Sequence, residues 1–194
     1  MIGARALMVA LEKENVKEVF GLPGGANLPM YDELYKSNIR HILVRHEQDA
    51  AHMADGFGRV SRKPGVCFAT SGPGATNLLT GIATAQADSA PMVAVTGQVP
   101  VAMIGKDAFQ ESDIIGMANP AVKYSYQPRT PEEIPEVVKQ GFYIAETGRP
   151  GPVLLDIPKD VQQNEGKFTF PDEVRIPGYH PWTDPDIPSI EKAI

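Results

Sequence analysis

The chain holds one cysteine in 194 residues, Cys67. An internal disulfide is therefore excluded, and the count fits a reducing, cytoplasmic setting. Cys67 lies in Gly65-Val66-Cys67-Phe68-Ala69-Thr70, which reads as a buried strand. A free thiol there is a small hydrophobe rather than a nucleophile. Basic clusters are also lacking: Arg62-Lys63 is the densest, and the formal net charge is −6. That balance argues against a nucleic-acid partner, which needs a basic stripe. No apolar run nears the roughly 20 residues that span a bilayer, so no membrane partner is expected. The start, Met1-Ile2-Gly3-Ala4-Arg5, lacks the apolar block of a secretory signal.

Common chemical signatures are missing as well. Gly72-Pro73-Gly74-Ala75-Thr76-Asn77 lacks both the third glycine of a dinucleotide fingerprint and the Gly-Lys-Ser/Thr ending of a P-loop. His46-Glu47 is followed by Ala50 where a zinc-protease helix needs histidine. His41, His46 and His52 are not spaced as a metal set, so they read as solvated or capping side chains. Gly-x-Ser-x-Gly, the hydrolase elbow, does not occur. Repeats and low-complexity tracts are absent too.

What is present is ordinary for a globular chain: 42% hydrophobic and 22% charged residues, enough for one well-buried domain and a tail. Short aliphatic runs at 16–20, 39–44, 65–70, 91–96, 122–126 and 153–157 read as strands. Helical patterns fill 4–14, 28–36, 48–60, 75–86 and 132–146, with an irregular stretch and a short helix over 101–119. Thr130-Pro131-Glu132-Glu133 is a strong start signal for the helix at 132. The alternation predicts an α/β fold: a doubly wound, mostly parallel six-stranded sheet with helices on both faces. From Pro171 the texture changes. Pro171, Pro177, Pro181, Pro185 and Pro188 punctuate a polar run that reads as a Pro-rich C-terminal linker. The expected division is 1–166 as a domain and 167–194 as a linker. The helix that begins at Ser189 is too short to stand alone, which implies a following domain.

Glu47 sits just past the carboxyl end of a strand and at the start of a helix. It is either a helix-terminal anion favoured by the macrodipole or a ligand-facing carboxylate. Four loops after strands share its sheet edge: Pro23-Gly24-Gly25, Arg45-His46-Glu47, Ser71-Gly72-Pro73-Gly74 and Gly97-Gln98-Val99-Pro100. Their convergence favours the second reading.

These residues carry a family resemblance. Gly21-Leu22-Pro23-Gly24-Gly25, Arg45-His46-Glu47-Gln48, Thr70-Ser71-Gly72-Pro73-Gly74-Ala75-Thr76-Asn77, Gly97-Gln98-Val99-Pro100 and Asp107-Ala108-Phe109-Gln110-Glu111 occur in that order. Arg149-Pro150-Gly151-Pro152-Val153 and Asp156-Ile157-Pro158-Lys159-Asp160-Val161-Gln162 follow. Together they resemble the N-terminal pyrimidine-binding domain of thiamine-diphosphate enzymes, most closely that of the acetolactate synthases. The resemblance covers essentially the whole chain.

It implies that Glu47 exchanges a proton with N1′ of the cofactor's aminopyrimidine, favouring the tautomer whose nitrogen deprotonates C2 of the thiazolium. Pyruvate would then be decarboxylated and condensed with a second 2-oxo acid, a step of branched-chain amino-acid biosynthesis. Pro73 and Asn77 match positions lining the aminopyrimidine. Gly25 and Ala26 match the loop near the reacting carbon, and Pro23 and Gly24 beside them match cofactor-binding positions. Gln110 and Phe109 match an active-site loop, Lys123 a substrate-entrance lysine, and Arg45 a position near the flavin. For the last three side chains loop packing (Phe109) or surface charge (Lys123, Arg45) remains an equal reading.

The resemblance further implies thiamine diphosphate with Mg2+, the metal held by a C-terminal domain beyond these residues, and leaves FAD open. It implies a homodimer or homotetramer with active sites between subunits, completed by later domains of the same chain, and allows a small regulatory subunit. The 194 residues alone would be catalytically silent. Leu22 stands where the family commonly has an aromatic residue, and Tyr124-Ser125 follows the lysine where His-Asn or His-Ser is often found. The substrate pair therefore stays open. Another thiamine-diphosphate decarboxylase, oxidase or carboligase, or a non-catalytic binding or dimerisation module, remains an alternative.

Overall fold

A computed structural model describes residues 1–181 and 184–194. Six strands form one sheet, in the order β2-β1-β3-β4-β6-β5: β1 Glu18–Gly21, β2 Arg40–Leu43, β3 Gly65–Ala69, β4 Met92–Gln98, β5 Tyr124–Tyr126 and β6 Pro152–Pro158. Every pairing is parallel, so the sheet is wholly rather than mostly parallel. The helices are α1 Gly3–Lys13, α2 Leu28–Tyr35, α3 Glu47–Ser61, α4 Pro73–Asn77, α5 Leu79–Asp88, α6 Ile114–Ala118, α7 Ile134–Glu146, α8 Lys159–Gln163 and α9 Ile187–Ala193. No described helix is long and apolar enough to cross a membrane.

Side chains alternate across a strand, and the two faces gather different cores. Val66, Phe68, Val93, Val95, Val153, Leu155 and Ile157 point to one face, where Leu7, Met8 and Leu11 of α1, Met30 of α2 and Val138 and Phe142 of α7 cover them. Cys67, Ala69, Met92, Ala94 and Leu154 point to the other, beneath Ala50, Ala51 and Ala54 of α3, Ile82 and Ala85 of α5 and Ile114 of α6. On this second face α3 and α5 approach closely. A Cβ on Gly81 would come within 2.4 Å of the Ala51 Cβ, so only glycine fits at that crossing. Arg59 of α3 ties the same pair together, reaching Asp55 at 2.9 Å and Asp88 of α5 at 2.7 Å.

Three details differ from the sequence expectation. The helix expected at 75–86 is two, α4 and α5, meeting at Leu78. β4 runs on through Gly97 and Gln98, which are strand rather than loop. A short helix, α8, follows β6. Beyond 166 the chain folds back: Phe170, Ile176 and Tyr179 pack against the α1/α7 core.

Candidate active site

Parallel strands put all their carboxyl ends on one edge, and there the chain diverges. After β1 it turns to the α2 face, and after β3 to the α4 face, the arrangement that opens a ligand crevice between neighbouring strands. α3 begins on this edge. His46 caps it, its Nδ1 accepting from the Gln48 N–H at 3.1 Å, which fixes Glu47 as the first helical residue.

Glu47 is only 8% exposed. Its Oε2 accepts from Asn77 Nδ2, the last residue of α4, at 3.0 Å. The loop that delivers α4 carries Gly72 at φ +60°, a conformation that favours glycine. The Gln110 backbone lies directly over it, its carbonyl oxygen 2.6 Å from where a Gly72 Cβ would be. Gly74 lets the turn pack directly against Thr70 and the carboxylate, since a Cβ there would stand 3.3 Å from Glu47 Oε1 and 2.7 Å from Thr70 Cγ2. Thr70 joins the loop after β1 to this cluster, its Oγ1 accepting from the Ala26 N–H at 3.1 Å. Asn27 folds that loop on itself, accepting from the Gly24 N–H at 2.7 Å. Gln162 of α8 holds it from behind, donating to the Ala26 carbonyl at 2.8 Å.

The expected site residues therefore divide. Gly24, Ala26, Glu47, Asn77 and the backbone of Gln110 are linked through Thr70, Gly72 and Gly74. Pro23, Gly25 and Pro73 lie exposed on the same loops. Phe109, at 87% exposure, stands out from the loop before Gln110. Arg45 is exposed beside the α3 N-terminus. Lys123 is elsewhere. It precedes β5, at the opposite, amino edge of the sheet, where its ammonium donates to the carbonyls of Ile144 and, at 2.8 Å, Thr147, at the end of α7.

Thr70, Asn27 and Gln162 were not among the expected site residues. Thr70 and Gln162 fall inside the quoted motifs, but their partners lie 44 and 136 residues away, which no local pattern announces. Burial raises the Tyr31 phenol well above its usual range, and the Cys67 thiol and Glu47 add to the effect. The Cys67 thiol is itself pushed up to about 12 by burial, which leaves it protonated and unreactive. Among the described residues, no three His, Cys, Asp or Glu side chains gather as a metal site.

A parallel α/β sheet with a nearly buried carboxylate at the carboxyl edge of its strands defines the class; comparison with known proteins narrows it. Residues 1–117 match the family described as thiamine pyrophosphate enzyme, N-terminal TPP binding domain. The chain belongs to that family. Over its full length it is 58% identical to a probable acetolactate synthase large subunit of Methanocaldococcus jannaschii and 55% identical to one of Methanococcus aeolicus. It is also 53% identical over its full length to the acetolactate synthase large subunit of Corynebacterium glutamicum. The chain spans about a third of the length of these relatives, 33%, 33% and 31% respectively.

The donor and acceptor set at this edge suits a heteroaromatic ring such as the aminopyrimidine of thiamine diphosphate. One oxygen of Glu47 is held by Asn77, and the other has no hydrogen-bond partner among the described residues. Gly74 gives the turn its close approach to this carboxylate, because a Cβ there would meet Thr70.

Proposed function

We propose that this chain is the pyrimidine-binding part of an acetolactate synthase catalytic subunit, which decarboxylates pyruvate and joins the remainder to a second 2-oxo acid. The observation that carries the reading is the Glu47 carboxylate at the strand-end crevice, pinned by Asn77 through one oxygen. Thiamine diphosphate, when bound, supplies the thiazolium carbon that attacks the 2-oxo acid and the ring that takes up the electron pair left by carbon dioxide.

Glu47 holds and exchanges the proton at N1′ of the aminopyrimidine. Asn77 keeps the carboxylate from rotating, so its free oxygen stays aimed into the crevice. Pro73 lines the aminopyrimidine, Gly25 and Ala26 lie near the reacting carbon, and Pro23 and Gly24 hold the cofactor from the same loop. Gln110 and Phe109 face the reacting 2-oxo acid and exclude water. Arg45, exposed and without an ion-pair partner among the described residues, suits contact with FAD. Mg2+ and the diphosphate would be held by later parts of the full-length protein, across a subunit boundary in a homodimer or homotetramer, with a small regulatory subunit as a further partner. Residues 1–166 would form the domain and 167–194 the Pro-rich connection onward. No membrane or nucleic acid is involved in this reading, and the setting is cytoplasmic.

The test is acetolactate formation from pyruvate by the full-length protein with thiamine diphosphate and Mg2+, with and without Glu47→Gln. Wild type should make acetolactate, and the variant should lose about 100-fold or more in rate. Release of acetaldehyde or acetyl phosphate alone would assign a different thiamine-diphosphate enzyme. Absence of any thiamine-dependent turnover would return Glu47 to a helix-terminal carboxylate in a non-catalytic module.

A further inference from the structure

Gln98 was expected in a ligand-lining loop, yet it ends β4 with its side chain inside the protein, 2% exposed. Both hydrogens of its amide nitrogen are engaged. One goes to Asp156 Oδ2 at 3.0 Å and one to the backbone carbonyl of Ser112 at 2.9 Å. Its Oε1 accepts from the Val99 N–H at 2.9 Å. A flipped amide would set oxygen against a carboxylate and a carbonyl, so one orientation is fixed. Asp156, wholly buried on β6, accepts further from Thr96 Oγ1 at 2.6 Å and Gln127 Nε2 at 2.7 Å. Three donors hold a carboxylate that would otherwise be costly to bury.

The Ser112 carbonyl closes the segment 104–113, which carries Phe109 and Gln110. That segment is held in an unfavourable backbone shape. Asp107 at φ 53° and Gln110 at φ 56° are non-glycine residues in the left-handed region. Within the segment, Glu111 accepts from the Gly105 N–H and, at 2.9 Å, from that of Ala108. These bonds shape the loop but do not attach it to the sheet. The Gln98–Ser112 bond does, and it sets the Gln110 backbone over Gly72, on the turn that leads to Asn77, the hydrogen-bond partner of Glu47.

We infer that Gln98, oriented by Asp156, is the positioning residue that anchors segment 104–113 over the Gly72 turn and so places Phe109 and Gln110 for the reaction. The role for the reaction rests on the proposed function; the anchoring itself does not.

The experiment uses full-length Gln98→Met, near in size but without the amide, read by hydrogen exchange and by steady-state kinetics. Amides of 104–113 should exchange about 10-fold faster or more, while strand peptides 92–98 and 152–158 keep their protection. In the same protein kcat should fall about 10- to 100-fold, with half-saturation by thiamine diphosphate within about 3-fold of wild type. Unchanged exchange in 104–113 would overturn the anchor. Faster exchange in both strands as well would make Gln98 a residue of the sheet and also overturn it. A freed loop with unchanged kcat would overturn the positioning role. Should Gln98→Met fail to fold, Gln98→Asn keeps the amide one methylene short and should give the same pattern at smaller amplitude. Wild type without thiamine-dependent turnover would remove the proposed function, and with it the role in the reaction. The exchange pattern would still uphold or overturn the anchor.

Discussion

The two faces of the sheet are built to different rules. The α1/α2/α7 face is filled by Leu7, Met8, Leu11, Met30, Phe68, Phe142 and Leu155, and its stability comes from volume. The α3/α5 face meets through Ala50, Ala51, Ala54, Gly81 and Ala85, and its helices lie close because little stands between them. That second face also turns polar towards the carboxyl edge, where Thr96, Gln98 and Asp156 follow Ala94 and Leu154 on the same side of their strands. Both faces are densely packed, but small side chains let helix backbones approach most closely. Glu47 and Asn77 begin and end helices on this closely approached face, joined by a 3.0 Å hydrogen bond.

The contrast can be broken from either side. The largest loss of stability should come from deletion on the voluminous face. Leu11→Ala should cost about 2–5 kcal/mol in urea denaturation, with kcat of the full-length enzyme preserved once folded. Next comes the buried carboxylate. Asp156 is pushed up to about 6, chiefly by burial, against the donors Thr96, Gln127 and Gln98. The folded state therefore holds the Asp156 proton more tightly than the unfolded chain does. The resulting stabilisation is present below about pH 4 and is lost as pH rises through about 6, on the order of 3 kcal/mol. Asp156→Asn should flatten that part of the pH–stability curve, measured from pH 4 to 7.

Addition on the close-packed face should cost less stability but more function. Gly81→Ala should destabilise by about 1–3 kcal/mol, because the new methyl meets Ala51. Unlike Leu11→Ala it should lower kcat about 10-fold by displacing α3, the helix that carries Glu47. The smallest effect belongs to the amino edge. Lys123→Met should remove about 1 kcal/mol by uncapping α7, visible as a drop in Tm, with kcat and KM unchanged. A lowered kcat there would bring Lys123 back to the substrate side.

Much of this was legible in sequence because period-2 and period-3.6 patterns are local. Val93 and Val95 against Met92 and Ala94 announce a strand buried on both faces, and Thr130-Pro131-Glu132-Glu133 announces a helix start that the structure completes as a capping box. The edge carrying Glu47 followed from parallel connectivity alone. Gln98 was misread as loop because a glutamine between Gly97 and Val99-Pro100 looks like a turn. What makes it strand is its parallel pairing with β6 as far as Pro158, and Asp156, 58 residues on, satisfies the amide this buries. The break at Leu78 was hidden because apolar spacing continues across it. Lys123 lies at the amino edge beside the end of α7, a placement that its motif position does not announce.

The measurement that bears most directly on the central claim is C2–H/D exchange of thiamine diphosphate bound to the full-length protein, wild type against Glu47→Gln, followed by NMR. If Glu47 handles the aminopyrimidine proton, exchange in the variant should slow by about 100-fold or more while the cofactor stays bound. Equal exchange rates in the two proteins, with the cofactor equally bound, would contradict the account.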